Sequence, residues 1–150
     1  KSLFRLCDVI IINEPELSAY SGSALGDANL GEIAAAAKNL LSHDDQTVIV
    51  TRGERGALAI RCGAELVVEA HAATAADTTG AGDCFCGTLV AALAKGEALG
   101  AAIDRANAAA ALAVSRSGAA DALPTSTEVE AFMATTLGGK PTLIHKQLIN

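Results

Sequence analysis

Two short runs of β-branched residues, separated by a stretch of helical periodicity, restrict the fold of this chain more than any other feature of its sequence. Residues 8–12 form the first run, and Asn13-Glu14-Pro15 ends it, which predicts a buried strand followed by a loop. Thr47–Thr51 form the second run. Between them, Asn29 and Glu32 make a capping pair before apolar residues that recur at helical spacing over residues 30–41. The order strand, helix, strand predicts an α/β fold with a parallel sheet that is covered on both faces.

The rest of the chain adds short strands and alanine-rich helices. Residues 57–60 and 66–68 predict two strands joined around Gly63. Residues 80–115 predict helical structure with a break near Lys95-Gly96, because alanine is the best helix former and glycine interrupts the pattern. Thr125 and Glu128 predict the capped start of a last helix.

The composition excludes several classes of protein. The chain has 11 Lys+Arg and 17 Asp+Glu residues, so its net charge of −6 does not provide the clustered positive charge that binds nucleic acids. No stretch approaches the roughly 20 apolar residues that a membrane-spanning helix needs. We therefore expect neither a nucleic-acid partner nor a membrane. A composition that is 51% apolar and 19% charged is also too apolar for a disordered segment.

The cysteines and histidines carry little functional signal. The four cysteines are irregularly spaced, which disfavours a disulfide framework and favours a reduced, cytoplasmic setting. Cys84-x-Cys86 lacks a second ligand pair, so we expect these side chains to pack rather than to bind metal. The histidines are scattered and are expected at the surface; they are His43, His71 and His145. Since the sequence begins at Lys1 without a signal segment, we expect it to start inside a longer protein or to follow processing.

The most informative segment lies where the first alanine-rich helix is predicted to begin. Gly80 and Gly82 flank the small residue Ala81, so unpaired backbone N–H groups at this helix start are little obstructed by side chains. Together with the positive end of the helix dipole, they predict an anion site suited to phosphate. Asp83 would repel a phosphate there unless it had a task, such as deprotonating an incoming hydroxyl. The alternative is that Asp83 only complements the helix dipole.

The best-known nucleotide motifs do not describe this segment. The sequence Gly-x-x-x-x-Gly-Lys-[Ser/Thr] is absent, which excludes a Walker-type loop. Gly80-Ala81-Gly82 opens like a dinucleotide fingerprint, but Gly87 comes too late for its third glycine.

Residues 77–85, Asp-Thr-Thr-Gly-Ala-Gly-Asp-Cys-Phe, resemble the second signature of the ribokinase (PfkB-type) carbohydrate kinase family. Further motifs of that family occur before and after this segment, in the order in which the family has them. They are Asn13-x-x-Glu16, Thr51-x-Gly53-x-x-Gly56 and Asn107 with the four alanines after it. Arg116-x-Gly118, followed by Leu123-Pro124, is most similar to the ribokinase branch of the family.

The resemblance runs from about residue 5 to residue 137 and covers only the C-terminal half of such an enzyme. It implies a ribokinase-like, three-layer α/β/α fold with a Rossmann-like sheet. Residues 1–137 would be the C-terminal nucleotide-binding and catalytic part of that domain. Residues 138–150 show no family motif and are predicted as an unassigned tail.

The resemblance also implies a role for each matching residue. Asp83 would be the general base that takes the proton of the sugar hydroxyl. The amides of Gly80, Ala81 and Gly82 would form the anion hole for the transferred γ-phosphoryl group of ATP. Residues of the other motifs would lie near the nucleotide. Asn13 and Glu16 would lie near the phosphates and the hydrated Mg²⁺. The nucleotide site would be lined by Thr51, Gly53, Gly56 and Gly82. Asn107 would lie beside adenine.

A monovalent cation site, usually for K⁺, is implied beside the anion hole. Its side chains would be those of Asp77 and Thr79. Backbone carbonyls around Ala113, Arg116 and Gly118 would complete it. Ala122 stands where many ribokinases have serine, which is a departure from the family pattern.

Taken without the resemblance, several of these motifs have structural interpretations. Asn13-x-x-Glu16 is compatible with a loop and a helix start. Thr51-x-Gly53-x-x-Gly56 alone is more typical of a hairpin turn. Asn107, in an alanine-rich helix, is compatible with a buried hydrogen-bonding residue.

The predicted function is that of an ATP-dependent sugar kinase that phosphorylates the terminal hydroxyl of D-ribose, with Mg²⁺ and K⁺, in the cytoplasm. As a full-length enzyme it is expected to form a homodimer. Two alternatives stay open. One is a related kinase for fructose, a deoxy-sugar acid or a nucleoside, and the other is a fragment that acts only as a nucleotide-binding or non-catalytic module.

Overall fold

The computed structural model describes the backbone of residues 2–118, 121–136 and 142–146. The chain forms two compact units. The first comprises Lys1–Arg52, Ala57–Val67 and Thr142–Asn150, and the second comprises Gly53–Gly56 and Val68–Pro141.

Strands and helices follow one another much as the sequence predicts. The strands are β1 (Val9–Asn13), β2 (Thr47–Thr51), β3 (Ala57–Arg61), β4 (Ala64–Val68) and β5 (Thr142–Lys146). The helices are α1 (Glu14–Ser21), α2 (Leu30–Lys38), α3 (Ala81–Ala94), α4 (Leu99–Val114) and α5 (Ser126–Thr135). Two 3₁₀ turns complete the set, over Ser2–Leu6 and Gly53–Arg55. This alternation confirms the predicted α/β class.

The strands form one sheet in the order β1-β2-β3-β4-β5, and the sheet is mixed rather than parallel. The prediction of a parallel sheet is right for β1 and β2, which pair in register Ile11↔Ile49. Beyond that strand-helix-strand unit the pairing is antiparallel, for β2 with β3 and for β4 with β5. The connection from β2 to β3 is too short for the crossover that parallel strands require, so the chain reverses direction.

The core of the first unit lies between the sheet and the helices α1 and α2. Val48 and Val50 of β2 and Leu58 and Ile60 of β3 are completely buried in this core. The predicted capping box of α2 is confirmed, because Asn29 Oδ1 accepts the Glu32 amide at 3.1 Å and Glu32 Oε2 accepts the Asn29 amide at 2.8 Å. The helix ends at Lys38, three residues earlier than the apolar pattern predicts.

A helix follows β1 where Asn13-Glu14-Pro15 predicts a loop. Helix α1 begins at Glu14, with Pro15 in its first turn and Asn13 as its N-cap. Proline is well tolerated in a first helical turn, since the N–H group it lacks would have no partner there. The helix ends at Gly22, which has a φ of 77° and donates its amide to the Ser18 carbonyl oxygen at 3.0 Å.

The second unit is mainly helical. Helix α3 packs against α4, and α4 packs against α5. The small side chains of Ala108, Ala109 and Ala113 allow α4 to contact Cys84 of α3 and Val129 of α5 in one buried cluster. The predicted break between the helices is confirmed at Gly96, which has a φ of 81°. Within the described ranges, no helix is both long enough and apolar enough to cross a bilayer.

Two connections matter for the site. The segment from residue 69 to residue 80, here called the β4–α3 segment, joins β4 to α3 without regular secondary structure. In the stretch predicted as an unassigned tail, Thr142–Lys146 form β5 beside β4, while residues 138–141 and 147–150 lie outside the described residues.

Candidate active site

The start of α3 has the backbone geometry that the sequence predicts for an anion site. Gly80 is the N-cap, with a φ of 79° that disfavours residues with a side chain, and its carbonyl oxygen accepts the Cys84 amide at 2.9 Å. The Ala81 amide is partly engaged by the Thr78 carbonyl oxygen at 3.3 Å. The amides of Gly82 and Asp83 precede the first intrahelical donor, so they point out of the helix end.

Helices α1, α2 and α5 close their first turn with side chains, whereas α3 and α4 do not. Helices α1, α2 and α5 each have a capping box in which the glutamate at the third helical position binds the N-cap amide. Asp83 occupies that third position in α3, and its N-cap is a glycine without a side-chain cap. Among the described residues, the exposed Asp83 carboxylate makes no hydrogen bond or ion pair. Asp83 therefore does not cap α3, and its two interpretations, a role toward a ligand and complementing the helix dipole, stay predictions.

The space beside Gly82 fits the approach of a phosphate. A Cβ atom built on Gly82 would meet nothing within 4 Å, and the residue is exposed. Packing within the described residues therefore does not explain why this position is glycine. The open amides of the first turn and the helix dipole are the elements that bind anions in proteins.

Asp77 connects two of the segments assigned to the cation site. Its Oδ1 accepts the Thr79 amide at 2.9 Å, and its Oδ2 accepts the Gly118 amide at 3.4 Å. Hydrogen bonds from the Thr79 amide, the Thr79 hydroxyl and the Gly118 amide lower the pKa of Asp77, so it stays ionised at neutral pH. The structure therefore brings Asp77, Thr79 and Gly118 together.

The other residues assigned to that site lie at the C-terminal end of α4 or follow it. The Ala113 carbonyl oxygen accepts the Arg116 amide at 3.2 Å, and the neighbouring Val114 carbonyl oxygen accepts the amides of Ala76 and Asp77 at 2.7 and 3.1 Å. Ala122 is buried, with 1% of its surface exposed. Carboxylate, hydroxyl and carbonyl oxygens are the ligands that hard cations prefer, so the donor set fits K⁺.

The Arg116 side chain is held by α5 rather than directed at that site. Its Nη2 donates to Glu128 Oε1 at 2.6 Å. The Thr125 amide, followed by Arg116, lowers the pKa of Glu128 to about 2, so the carboxylate stays charged for both contacts. Only the backbone of Arg116 is therefore available to a cation.

In the first unit, topology brings Asn13 and Thr51 side by side. They are register partners at the carboxyl ends of the parallel strands β1 and β2. The Thr51 hydroxyl donates to the Ile12 carbonyl oxygen at 3.4 Å. Ligands of α/β proteins characteristically bind beyond the carboxyl ends of parallel strands, so this edge suits the predicted nucleotide contacts.

Asn13 and Glu16 form the capping box of α1. Asn13 Oδ1 accepts the Glu16 amide at 2.8 Å, and Glu16 Oε2 accepts the Asn13 amide at 2.9 Å. The structural interpretation of Asn13-x-x-Glu16 as a helix start is therefore observed. Both residues are exposed, and the second carboxylate oxygen of Glu16 is left for a further contact.

The glycines of the Thr51-x-Gly53-x-x-Gly56 motif differ in their surroundings. Gly53 and Gly56 have φ values of 55° and 78°, and the Gly56 amide donates to the Gly53 carbonyl oxygen at 3.0 Å. A Cβ atom on Gly53 would meet nothing within 4 Å. A Cβ atom on Gly56 would collide with the Val68 carbonyl oxygen and lie 2.6 Å from the Ala70 amide nitrogen. Gly56 is therefore required by the fold itself, whatever it binds.

Asn107 is buried, and its amide group is committed to the backbone. Its Nδ2 donates to the carbonyl oxygens of Val68 and Glu69 at 3.3 and 3.0 Å, and 6% of the residue is exposed. The structure therefore shows the buried hydrogen-bonding asparagine that was the alternative to a nucleotide contact. These hydrogen bonds attach the backbone of Val68 and Glu69 to α4, and the same backbone lies against Gly56.

His71 is buried, so its predicted surface position is wrong. Its Nε2 lies 2.9 Å from Asp104 Oδ1, its Nδ1 lies 3.0 Å from Thr136 Oγ1, and its ring contacts Phe132 at a centroid distance of 5.6 Å. The sequence pattern did not reveal it because its partners are 33 and 65 residues away in the chain. His43 is exposed as predicted, and the His145 side chain lies outside the described residues.

Cys84 packs in the interior of the second unit, as the sequence predicts. Cys84 is buried among alanines of α4, and burial raises its pKa, as expected for an apolar environment. In the described part of the chain, His, Cys, Asp and Glu side chains do not gather in any group of three that could hold a metal ion.

The comparison with known families identifies the chain. The model of the pfkB family carbohydrate kinases matches residues 1–126. This chain belongs to the pfkB family of carbohydrate kinases. The family signature had been predicted from residues 77–85, and that recognition is confirmed.

Relatives of this pfkB-family chain include several ribokinases. Ribokinase of Haemophilus influenzae is 34% identical over 133 residues, which are 87% of this chain and 42% of that protein. The structure of ribokinase from Thermotoga maritima has a TM-score of 0.79 at 33% identity and covers 89% of this chain and 44% of its own. The predicted ribokinase-like fold is thereby confirmed.

Two further pfkB-type structures were solved with ligands. Arabidopsis thaliana ribokinase, complexed with ribose and ATP, is 27% identical with a TM-score of 0.79 and covers 87% of this chain and 42% of its own. Fructokinase from Vibrio cholerae, with fructose, ADP and calcium ion, is 31% identical with a TM-score of 0.74 and covers the same shares. The chain thus spans less than half the length of the relatives that it matches.

Proposed function

We propose that the full-length protein is an ATP-dependent sugar kinase that phosphorylates the terminal hydroxyl of D-ribose. The observation that carries this proposal is the start of α3, where an unengaged carboxylate stands one residue after an open glycine amide. A base for a hydroxyl and donors for a phosphate are the two requirements of this reaction, and α3 supplies both within one turn. The ribokinase relatives support ribose as the sugar.

In the proposed reaction, the sugar hydroxyl oxygen forms a bond to the γ-phosphorus of ATP. The bond between that phosphorus and the bridging oxygen of ADP breaks, and the hydroxyl proton passes to the Asp83 carboxylate. The amides of Gly80, Ala81 and Gly82 would stabilise the negative charge on the transferred phosphoryl oxygens. Gly82 is better placed than Ala81, because the Ala81 amide is already partly engaged by the Thr78 carbonyl oxygen.

The other motif residues would hold the nucleotide and the ions. Asn13 and Glu16 would lie near the phosphates and the hydration shell of Mg²⁺, which would neutralise charge on the phosphates. Thr51 would line the nucleotide site. Gly53, Gly56 and Asn107 would shape the nucleotide-binding turn. Asp77 and Thr79, with carbonyl oxygens around Ala113, Arg116 and Gly118, would hold K⁺ near the start of α3. Residues 1–137 would thus form the nucleotide-binding and catalytic part of the kinase.

A matched pair of glycine variants tests the anion hole. We expect Gly82→Ala to reduce kcat/KM about 10²-fold, because its methyl group would occupy the space that a phosphate needs at this amide. Gly87→Ala, in the same helix and also with no atom within 4 Å of an added Cβ, should leave activity unchanged. Neither change should lower stability, since alanine favours helix. Equal activities of the two variants would contradict the proposed anion hole.

The sugar can be identified with the full-length protein and a panel of acceptors. We expect Mg·ATP to be consumed fastest with D-ribose. NMR of the product should place the phosphate on the terminal hydroxyl. Fructose is the second candidate, because a fructokinase is among the solved structures that resemble this chain. A higher kcat/KM for fructose, a deoxy-sugar acid or a nucleoside than for ribose would show that this compound, and not ribose, is the substrate. Binding of ATP without phosphorylation of any of these acceptors would favour a non-catalytic module.

A further inference from the structure

The buried pair formed by His71 and Asp104 has no part in the reaction proposed above. Only 1% of the His71 side chain and 20% of the Asp104 side chain are exposed. His71 Nε2 lies 2.9 Å from Asp104 Oδ1, within hydrogen-bonding distance. Burial of a titratable side chain such as that of His71 is costly unless it is hydrogen-bonded, so this pair calls for an explanation.

The pair attaches the β4–α3 segment to α4. Asp104 and Asn107 lie three positions apart, so they share one face of α4. Asn107 binds the carbonyl oxygens of Val68 and Glu69, and Asp104 binds His71. Two adjacent side chains of one helix therefore hold four consecutive residues, 68–71, at a point where the chain has left the sheet.

The first three of these residues, 68–70, supply the backbone atoms against which Gly56 packs. The atoms nearest to a Cβ on Gly56 are the Val68 carbonyl oxygen, the Glu69 carbonyl carbon and the Ala70 amide nitrogen. The turn Gly53–Gly56 thus rests on backbone whose position depends on Asn107 and on the His71–Asp104 pair. A displacement of residues 68–71 would displace this turn.

We propose that His71 and Asp104 are positioning residues for the nucleotide-binding turn Gly53–Gly56. The inference rests on the proposed function, in which this turn lines the ATP site. The catalytic end of the segment is secured separately, because the amides of Ala76 and Asp77 bind the Val114 carbonyl oxygen. Loss of the His71–Asp104 pair should therefore weaken ATP binding more than it slows phosphoryl transfer.

The test compares His71→Phe with the double variant His71→Phe/Asp104→Leu in the full-length protein. Phenylalanine keeps the ring beside Phe132 but removes both hydrogen bonds, and it leaves Asp104 without its partner. The double variant replaces the polar pair by an apolar one, an exchange that often preserves stability. His43→Phe, at an exposed histidine, is the control.

We expect both His71 variants to bind Mg·ATP about fivefold more weakly by calorimetry and to raise KM for ATP equally, with kcat little changed. The double variant should regain thermal stability without regaining affinity. Recovery of stability and affinity together would reveal a merely structural pair and overturn the inference, as would unchanged affinity in both variants. Failure of the wild-type protein to bind Mg·ATP would instead overturn the proposed function, and this inference with it.

Discussion

Replacement of Asp83 by asparagine should reduce kcat about 10²- to 10⁴-fold in the full-length protein while leaving the affinity for Mg·ATP intact. The side chain keeps its size and loses only the ability to take a proton. Its carboxylate is exposed and, among the described residues, makes no hydrogen bond or ion pair, so the fold should not depend on it. Single-turnover kinetics would measure the chemical step, and calorimetry would measure nucleotide binding.

Glu32→Gln is the matched control for this change. Glu32 occupies the same third position of α2 that Asp83 occupies in α3, and it binds the N-cap amide at 2.8 Å. Glutamine retains that capping contact, so turnover and stability should be nearly unchanged. If Asp83→Asn had as small an effect on turnover as Glu32→Gln, Asp83 would only complement the helix dipole, as its alternative interpretation holds.

Gly56→Ala should be the most destabilising of the changes considered, by about 2–5 kcal/mol of unfolding free energy. The positive φ of 78° disfavours alanine, and the added methyl group would collide with the backbone of residues 68–70. Gly53→Ala has the cost of a positive φ but no collision, so it should destabilise the protein by about 1–2 kcal/mol. Urea unfolding of the two variants, with unchanged slopes, would give the difference. Equal losses would show that the collision at Gly56 is relieved at no cost.

The sequence predicts best those features that depend on residues near one another in the chain. The start of α3 is one such feature, because Gly80, Gly82 and Asp83 act through the backbone of a single turn. The capping boxes at Asn29 and Thr125 are equally local and were predicted correctly. Helix α1 also has a local signal in Asn13 and Glu16, but Pro15 directed the prediction toward a loop although proline fits a first helical turn.

Features that depend on distant contacts could not be predicted in the same way. His71 is buried because Asp104 and Thr136 reach it from two different helices. The short apolar run of β3 does not specify a strand direction. Its antiparallel pairing with β2 is therefore set by tertiary contacts rather than by its own residues. Strand β5 lies where no family motif is present, and its pairing partner β4 is distant in the chain. For Asn107, the residue type indicated a buried or functional position, but not which carbonyl groups it would bind.

The β4–α3 segment has a consequence for how members of this family can diverge. The hydrogen bonds that join it to α4 lie at its two ends, near His71 and near Asp77, while residues 72–75 between them are exposed. The separation of the two ends is set by α4, whose residues 104 and 114 are about 15 Å apart along the helix axis. Lengthening the middle of the segment would cost little, since each doubling of a loop costs only about 0.6 kcal/mol. Insertions should therefore accumulate there during evolution, while the helix preserves the spacing between residues 68–71 and the start of α3.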